Sequence, residues 1–128
     1  MNFFKSIFGS SEENNKKSLV WNPLNSMEQL DEIIEESRSV CAVIFKHSTR
    51  CGISRFALNN FEASYDIPEA SAKLYFLDIL AYRDISIAVA EKFDIVHESP
   101  QLLLIKGGKV VHNESHGQID AREIAKFV

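Results

Sequence analysis

The stretch Val43-Ile44-Phe45-Lys46-His47-Ser48-Thr49-Arg50-Cys51-Gly52-Ile53-Ser54-Arg55-Phe56 decides how this chain folds. Its first residues close an apolar run, Val40-Cys41-Ala42-Val43-Ile44-Phe45, that shows no polar alternation. Apolar residues on both faces predict a central strand over 39–45, covered on each side. Polar residues follow. Apolar spacing then resumes at helical period and predicts a helix over 51–65, with Thr49 or Ser48 as its cap. Ile53, Phe56, Ala57, Phe61 and Ser64 form the predicted inner stripe of that helix. Strand, short loop and helix together place Cys51 where the helix begins.

A sulfur in that place faces backbone N–H groups that have no partner within the helix, and the helix dipole favours its anion. The thiolate is the nucleophile, and a free thiol is mostly protonated at neutral pH. Arg50, His47 and Lys46 stand just upstream and carry positive charge into the same stretch. Gly52 leaves one side of the thiol open to a bulky disulfide. Three positions after Cys51 stands Ser54, not a second cysteine. A captured mixed disulfide therefore waits for a thiol from outside the chain. Ser54 reads either as a hydrogen-bond donor to the sulfur or as an ordinary first-turn serine. His47 reads as an aid to ionisation or as a loop residue. Cys41, inside the strand, reads as a buried inert thiol.

Outward from this stretch, the pattern continues. Ser26 and Gln29 have capping-box spacing ahead of Leu30, Ile33 and Ile34, which predicts a helix over 26–37. Lys73 to Ile79 reads as a second buried strand. A helix capped by Asp84 runs to Phe93, with Ile85, Ile87, Ala88, Val89 and Ala90 turned inward. Ser99-Pro100 interrupts the chain before Gln101-Leu102-Leu103-Leu104-Ile105-Lys106, and Gly107-Gly108 turns it into a return strand, Lys109 to His112. A last helix covers 119–128, carrying Ile119, Ile124 and Phe127. Strands that alternate with helices pair in parallel, and the closing hairpin adds antiparallel strands. The expected architecture is α/β, a mixed sheet of about four strands with helices on both faces. Residues 1–25 are expected to form an N-terminal segment and linker, apolar over 1–9 and polar over 10–18, and residues 26–128 the domain.

The 128 residues fit one domain with a modest core. With 45% hydrophobic and 25% charged residues, the chain has an ordinary globular composition. A net charge of -4 argues against nucleic acid as a partner. No apolar run reaches the ~20 residues that span a bilayer. Two cysteines and an N-terminus without a signal-peptide pattern point to the reducing cytoplasm. His97, His112 and His116 read as surface residues. A zinc site built from Cys51 and histidines lacks any recognisable spacing, so no metal is expected.

The element order, the cysteine at a helix start, and Ser99-Pro100 ahead of a Gly107-Gly108 hairpin together resemble the thioredoxin fold. Within it, Phe45-Lys46-His47-Ser48-Thr49-Arg50-Cys51, then Ile53 and Ser54, is similar to the YtxJ-type bacillithiol-system proteins, the monothiol bacilliredoxins. That resemblance implies removal of bacillithiol from protein mixed disulfides. Cys51 would be the attacking thiol, Pro100 a cis proline against it, and Ser54 the replacement for a resolving cysteine. Ser99, Arg50, His47 and Gly52 would contact the substrate. The implied partners are S-thiolated proteins and a low-molecular-weight thiol acting as co-substrate, with no resident cofactor. Gly52 departs from the proline of many members. The tetrad Cys51-Gly52-Ile53-Ser54 also resembles the CGFS monothiol glutaredoxins, which carry an iron–sulfur cluster. Those proteins have a glycine-threonine-proline approach and an aspartate after the glycine pair, where this chain has His47-Ser48-Thr49-Arg50 and Lys109. A non-catalytic thioredoxin-like binding module is the third reading.

Overall fold

The structure, a computed structural model, describes residues 19–128. The expected N-terminal apolar patch and polar linker thus lie outside the described residues. The elements run β1 (Trp21–Pro23), α1 (Glu28–Glu36), β2 (Cys41–His47), α2 (Gly52–Ser64), β3 (Ala72–Asp78), α3 (Arg83–Phe93), β4 (Gln101–Lys106) and β5 (Lys109–Ser115). Short 3-10 turns occupy Glu69–Ser71, His116–Gln118 and Ala121–Phe127. The five strands form one mixed sheet in the order β1-β3-β2-β4-β5. β3 pairs in parallel with both β1 and β2, whereas β4 pairs antiparallel with β2 and β5.

β2 is central and wholly buried along its length, as its unbroken apolar run requires. Alternation sends Cys41, Val43 and Phe45 to one face, where Ala57 and Phe61 of α2 and Ile124 near the C-terminus cover them. Ala42 and Ile44 go to the other face, under Leu30 and Ile33 of α1 and Ile85, Val89 and Phe93 of α3. The mixed sheet with helices on both faces is therefore as expected, with five strands in place of about four.

The added strand is β1. It is too short for periodicity to reveal, and it places Trp21–Pro23 inside the sheet, ahead of the expected boundary at residue 26. Trp21 anchors it, with ring centroids 6.1 Å from Phe45, 5.7 Å from Phe61 and 5.8 Å from Phe76, while its Nε1–H donates to Glu62 at 2.8 Å.

Several local expectations are corrected. Ile53 and Phe56 are exposed, at 62% and 68%, and Ser54, Ala57 and Phe61 take the buried side of α2. Ile87 is likewise exposed on α3. Asp84 sits inside the first turn of α3 and does not cap it, because Tyr82 holds the cap position. Ahead of that helix, Asp78 accepts the N–H groups of Leu80 and Ala81. At α1 only half of the capping box forms. Gln29 accepts the Ser26 N–H at 3.0 Å, and Met27 holds the cap position. The C-terminal helix is a 3-10 turn over Ala121–Phe127.

Gly107 and Gly108 turn the hairpin with φ of 59° and 80°, a region that disfavours other residues. Ser37 ties this turn to the end of α1, its carbonyl accepting from Gly107 N–H and its hydroxyl from Gly108 N–H, both at 2.8 Å.

Truncating Trp21 to Ala removes the aromatic anchor of the edge strand. We expect a loss of about 3 kcal/mol, read as a lower urea midpoint.

Candidate active site around Cys51

Cys51 occupies the N-cap of α2 with an extended backbone, φ −111° and ψ 122°. Its N–H donates to the Ser48 carbonyl at 3.1 Å, and its carbonyl accepts the Arg55 N–H at 3.1 Å. This closes the Ser48–Cys51 loop and starts the helix. The sulfur is partly exposed and makes no capping hydrogen bond to the first amides, so it stands one position earlier than a first-turn residue. No acidic side chain lies in the first turn of α2. Gly52 is exposed, with nothing within 4 Å of where a Cβ would lie. The approach to the thiol from that side is open. Arg50 is also exposed.

The other thiol is out of reach. Cys41 is buried at the opposite end of β2, where burial pushes its thiol up from the ordinary range. Six strand steps carry the chain from it to His47, a span of roughly 20 Å, far beyond the reach of a disulfide.

Ser54 lies in the first turn of α2 and is fully buried. Its Oγ accepts the Ser48 N–H at 3.0 Å and sits 3.1 Å from His47 Nδ1. The hydroxyl thus fastens the loop ahead of Cys51 to the end of β2 and makes no hydrogen bond to the sulfur. His47 is buried too, and not a loop residue. Burial lowers its pKa, the Asp78 carboxylate pulls the other way, and the Arg55 guanidinium adds to the lowering. The net lowering favours the neutral ring, whose Nδ1 lies within hydrogen-bond distance of Ser54.

Lys46 goes elsewhere. Alternation along β2 sends it to the face opposite His47, where it is completely buried. Its Nζ donates to Gln101 Oε1 at 2.9 Å and lies 2.7 Å from His97 Nδ1. Burial pushes the ammonium down to about 8, against a smaller pull from the Glu98 carboxylate. It does not lend charge to the α2 face, as the linear sequence suggested. Its neighbour His97 is exposed, as expected, although its ring also meets Lys46, and partial burial first and the Lys46 charge second lower its pKa. His116 pairs with Glu98 at 3.3 Å. His112 is half-buried, stacked on Phe127 and 3.0 Å from Glu114.

The register Lys46↔Gln101 between antiparallel strands sets the start of β4 beside the end of β2. The Ser99-Pro100 peptide, which is cis, therefore shares one end of the sheet with the loop that leads to Cys51. The Ser99 hydroxyl is buried without a partner among the described residues. Pro100 is buried, and its carbonyl accepts the His116 N–H at 2.9 Å.

The structure thus holds a partly exposed cysteine at a helix start and, at the same end of the sheet, a cis proline at the start of β4. A sequence model described as Monothiol bacilliredoxin BrxC matches residues 22–124. The chain belongs to the monothiol bacilliredoxin family. A solved structure assigned as an oxidoreductase with a thioredoxin fold is 33% identical, with a TM-score of 0.71, over 84% of this chain and 92% of that one. Malassezia sympodialis thioredoxin is similar at 17% identity and a TM-score of 0.65, covering 90% and 92%. Fasciola hepatica thioredoxin is similar at 19% and 0.60, covering 82% and 93%. The last two show the fold alone. A bacilliredoxin of thioredoxin fold is a thiol-disulfide oxidoreductase. No helix among the described residues is long and apolar enough to cross a membrane.

Sequence reasoning missed Gln101 and His97. Gln101 reads as the first residue of an apolar strand, and no spacing signals that its amide reaches back to its own loop.

Two outcomes follow from this geometry. Ser54→Ala leaves the Ser48 N–H and His47 Nδ1 without their partner, and we expect a stability loss of about 1–3 kcal/mol by urea denaturation. The second concerns Lys46. Its folded pKa of about 8 lies below the ordinary 10.5. Within that window the unfolded chain binds more protons, so the Lys46 contribution to stability grows as pH rises and is flat below it. Subtracting the unfolding free energy of Lys46→Met from that of the native protein isolates this rise, and the difference should climb between pH 8 and 10.5.

Proposed function

We propose that this bacilliredoxin removes a low-molecular-weight thiol such as bacillithiol from S-thiolated proteins, with Cys51 as its nucleophile. The observation that supports the reading is the pairing of Cys51 with Ser54. The one solvent-reachable thiol among the described residues has, a turn away, a buried hydroxyl already committed to His47 and Ser48.

The Cys51 thiolate attacks the small-thiol sulfur of a mixed disulfide. The Cys51–small-thiol bond forms as the old sulfur–sulfur bond breaks, and the protein thiolate leaves and takes a proton from water. Electrons are conserved, since one disulfide is exchanged for another. With no second thiol in place, the adduct stays on Cys51 until an external small thiol attacks it. That step releases the symmetric small-molecule disulfide and restores the Cys51 thiolate.

Ser99 and Pro100 offer the edge against which an extended substrate lies, in the manner of an added strand. The open side left by Gly52 admits the small-thiol half. Arg50, exposed and adjacent to Cys51 in the chain, contacts that half in this reading. His47 acts through Ser54, holding the loop ahead of Cys51. The co-substrate is a free small thiol, and no resident cofactor enters the cycle.

The test is mass spectrometry of the reduced protein after mixing with a bacillithiolated test protein. One bacillithiol should move to Cys51, at one per chain, as the test protein regains its free thiol. Cys51→Ser should take up none. Transfer at an undiminished rate to the Ser variant would overturn the proposal.

A further inference from the structure

We propose that Lys46 is a positioning residue, whose buried side chain holds, through Gln101 and His97, the Val96–Glu98 segment in the shape that presents Ser99-Pro100 to an extended substrate. This rests on the reading of Cys51 and the Ser99-Pro100 edge given above.

The geometry is a clamp aimed at one loop. Gln101 Oε1 accepts from Lys46 Nζ at 2.9 Å and from the Glu98 N–H at 3.2 Å. The Gln101 Nε2 donates to the Val96 carbonyl at 3.1 Å. A single amide thus fixes an acceptor and a donor of the backbone directly ahead of Ser99. Lys46 orients that amide from behind and also reaches His97 Nδ1 at 2.7 Å. Ser86 of α3 stands 3.5 Å from the same ring nitrogen. Every hydrogen bond of the Lys46 ammonium is directed at Gln101 or at the loop.

Stability alone does not account for a lysine here. Lys46 is fully buried and has no carboxylate within salt-bridge distance among the described residues; Glu98 pairs with His116 instead. A buried cation with no directly paired anion, only the weaker pull of Glu98, is costly, and an unbranched apolar side chain would fill the same space. The ammonium supplies directed donors, and they converge on the segment that precedes the cis peptide. Loss of that direction lets the substrate edge drift, and a displacement near 1 Å can slow an aligned reaction by about 100-fold.

The experiment compares two disulfides that release the same chromophore, 5-thio-2-nitrobenzoate. One is the symmetric reagent 5,5′-dithiobis(2-nitrobenzoate), too small to need strand pairing. The other is a ten-residue extended peptide whose single cysteine carries the chromophore as a mixed disulfide. Here Cys51 attacks the peptide sulfur, the new Cys51–peptide disulfide forms, and the chromophore thiolate leaves because it is much the more acidic thiol. In Lys46→Met we expect the second-order rate with the peptide to fall by about 10- to 100-fold, with the small reagent within about twofold of the native rate. Equal loss on both, or loss on neither, overturns the proposal. If Lys46→Met does not fold, Gln101→Glu carries the same test. It keeps the acceptor for Lys46, gives up the donor to Val96, and should show the same selective loss. Two controls separate the underlying reading. Cys51→Ser should be inert towards both disulfides, and the native protein should favour the peptide. A reactive Ser variant sinks the assignment of Cys51, whereas a native protein indifferent to the peptide sinks that of the Ser99-Pro100 edge, whatever Lys46 does.

Discussion

The site depends on the pairing of β2 with two neighbours of opposite direction. β3 runs parallel to it and carries Asp78 to the level of His47, while β4 runs antiparallel and begins at the level of Lys46. One sheet end therefore collects the loop leading to Cys51 and the Ser99-Pro100 peptide, although about 50 residues separate them along the chain. Neither strand can slip by one residue without turning its own side chains to the opposite face of the sheet. The same register that protects the core brings the loop leading to Cys51 and the cis peptide to one end of the sheet.

The last two residues of β2 divide the supporting work between the two faces. His47 points toward α2 and, through Ser54, fastens the loop that delivers Cys51. Lys46 points the other way and reaches the loop that delivers Ser99 and Pro100. Adjacent residues thus brace the two halves of the site from opposite sides of the sheet. Both are charged or chargeable groups in buried places, and burial shifts both away from their charged forms. Such groups are poor choices for stability and useful ones for holding backbone in a fixed shape.

Ser54 also explains the single-thiol character in structural terms. Where a resolving thiol would need freedom to reach a mixed disulfide, this chain has a hydroxyl locked into the fold on two sides. Ile53 and Phe56 on α2 are exposed, outside the core that their helical spacing had assigned them to. Period alone could not separate them from Ala57 and Phe61, because α2 is apolar around much more of its circumference than it buries.

The chain by itself determined the alternation of strands and helices, the hairpin at Gly107-Gly108, the single accessible sulfur at a helix start and its family resemblance, because these rest on local period, turn chemistry and motif. It did not reveal β1, whose three residues are too few for a period. It gave no direction for Lys46 or His47, and no sign that Gln101 grips its own loop. Those were decided by tertiary structure, for a physical reason. A side chain's face follows from strand register, and register is set by partners distant in sequence. Read in line, Lys46 belonged with Cys51; folded, it belongs with Ser99 and Pro100.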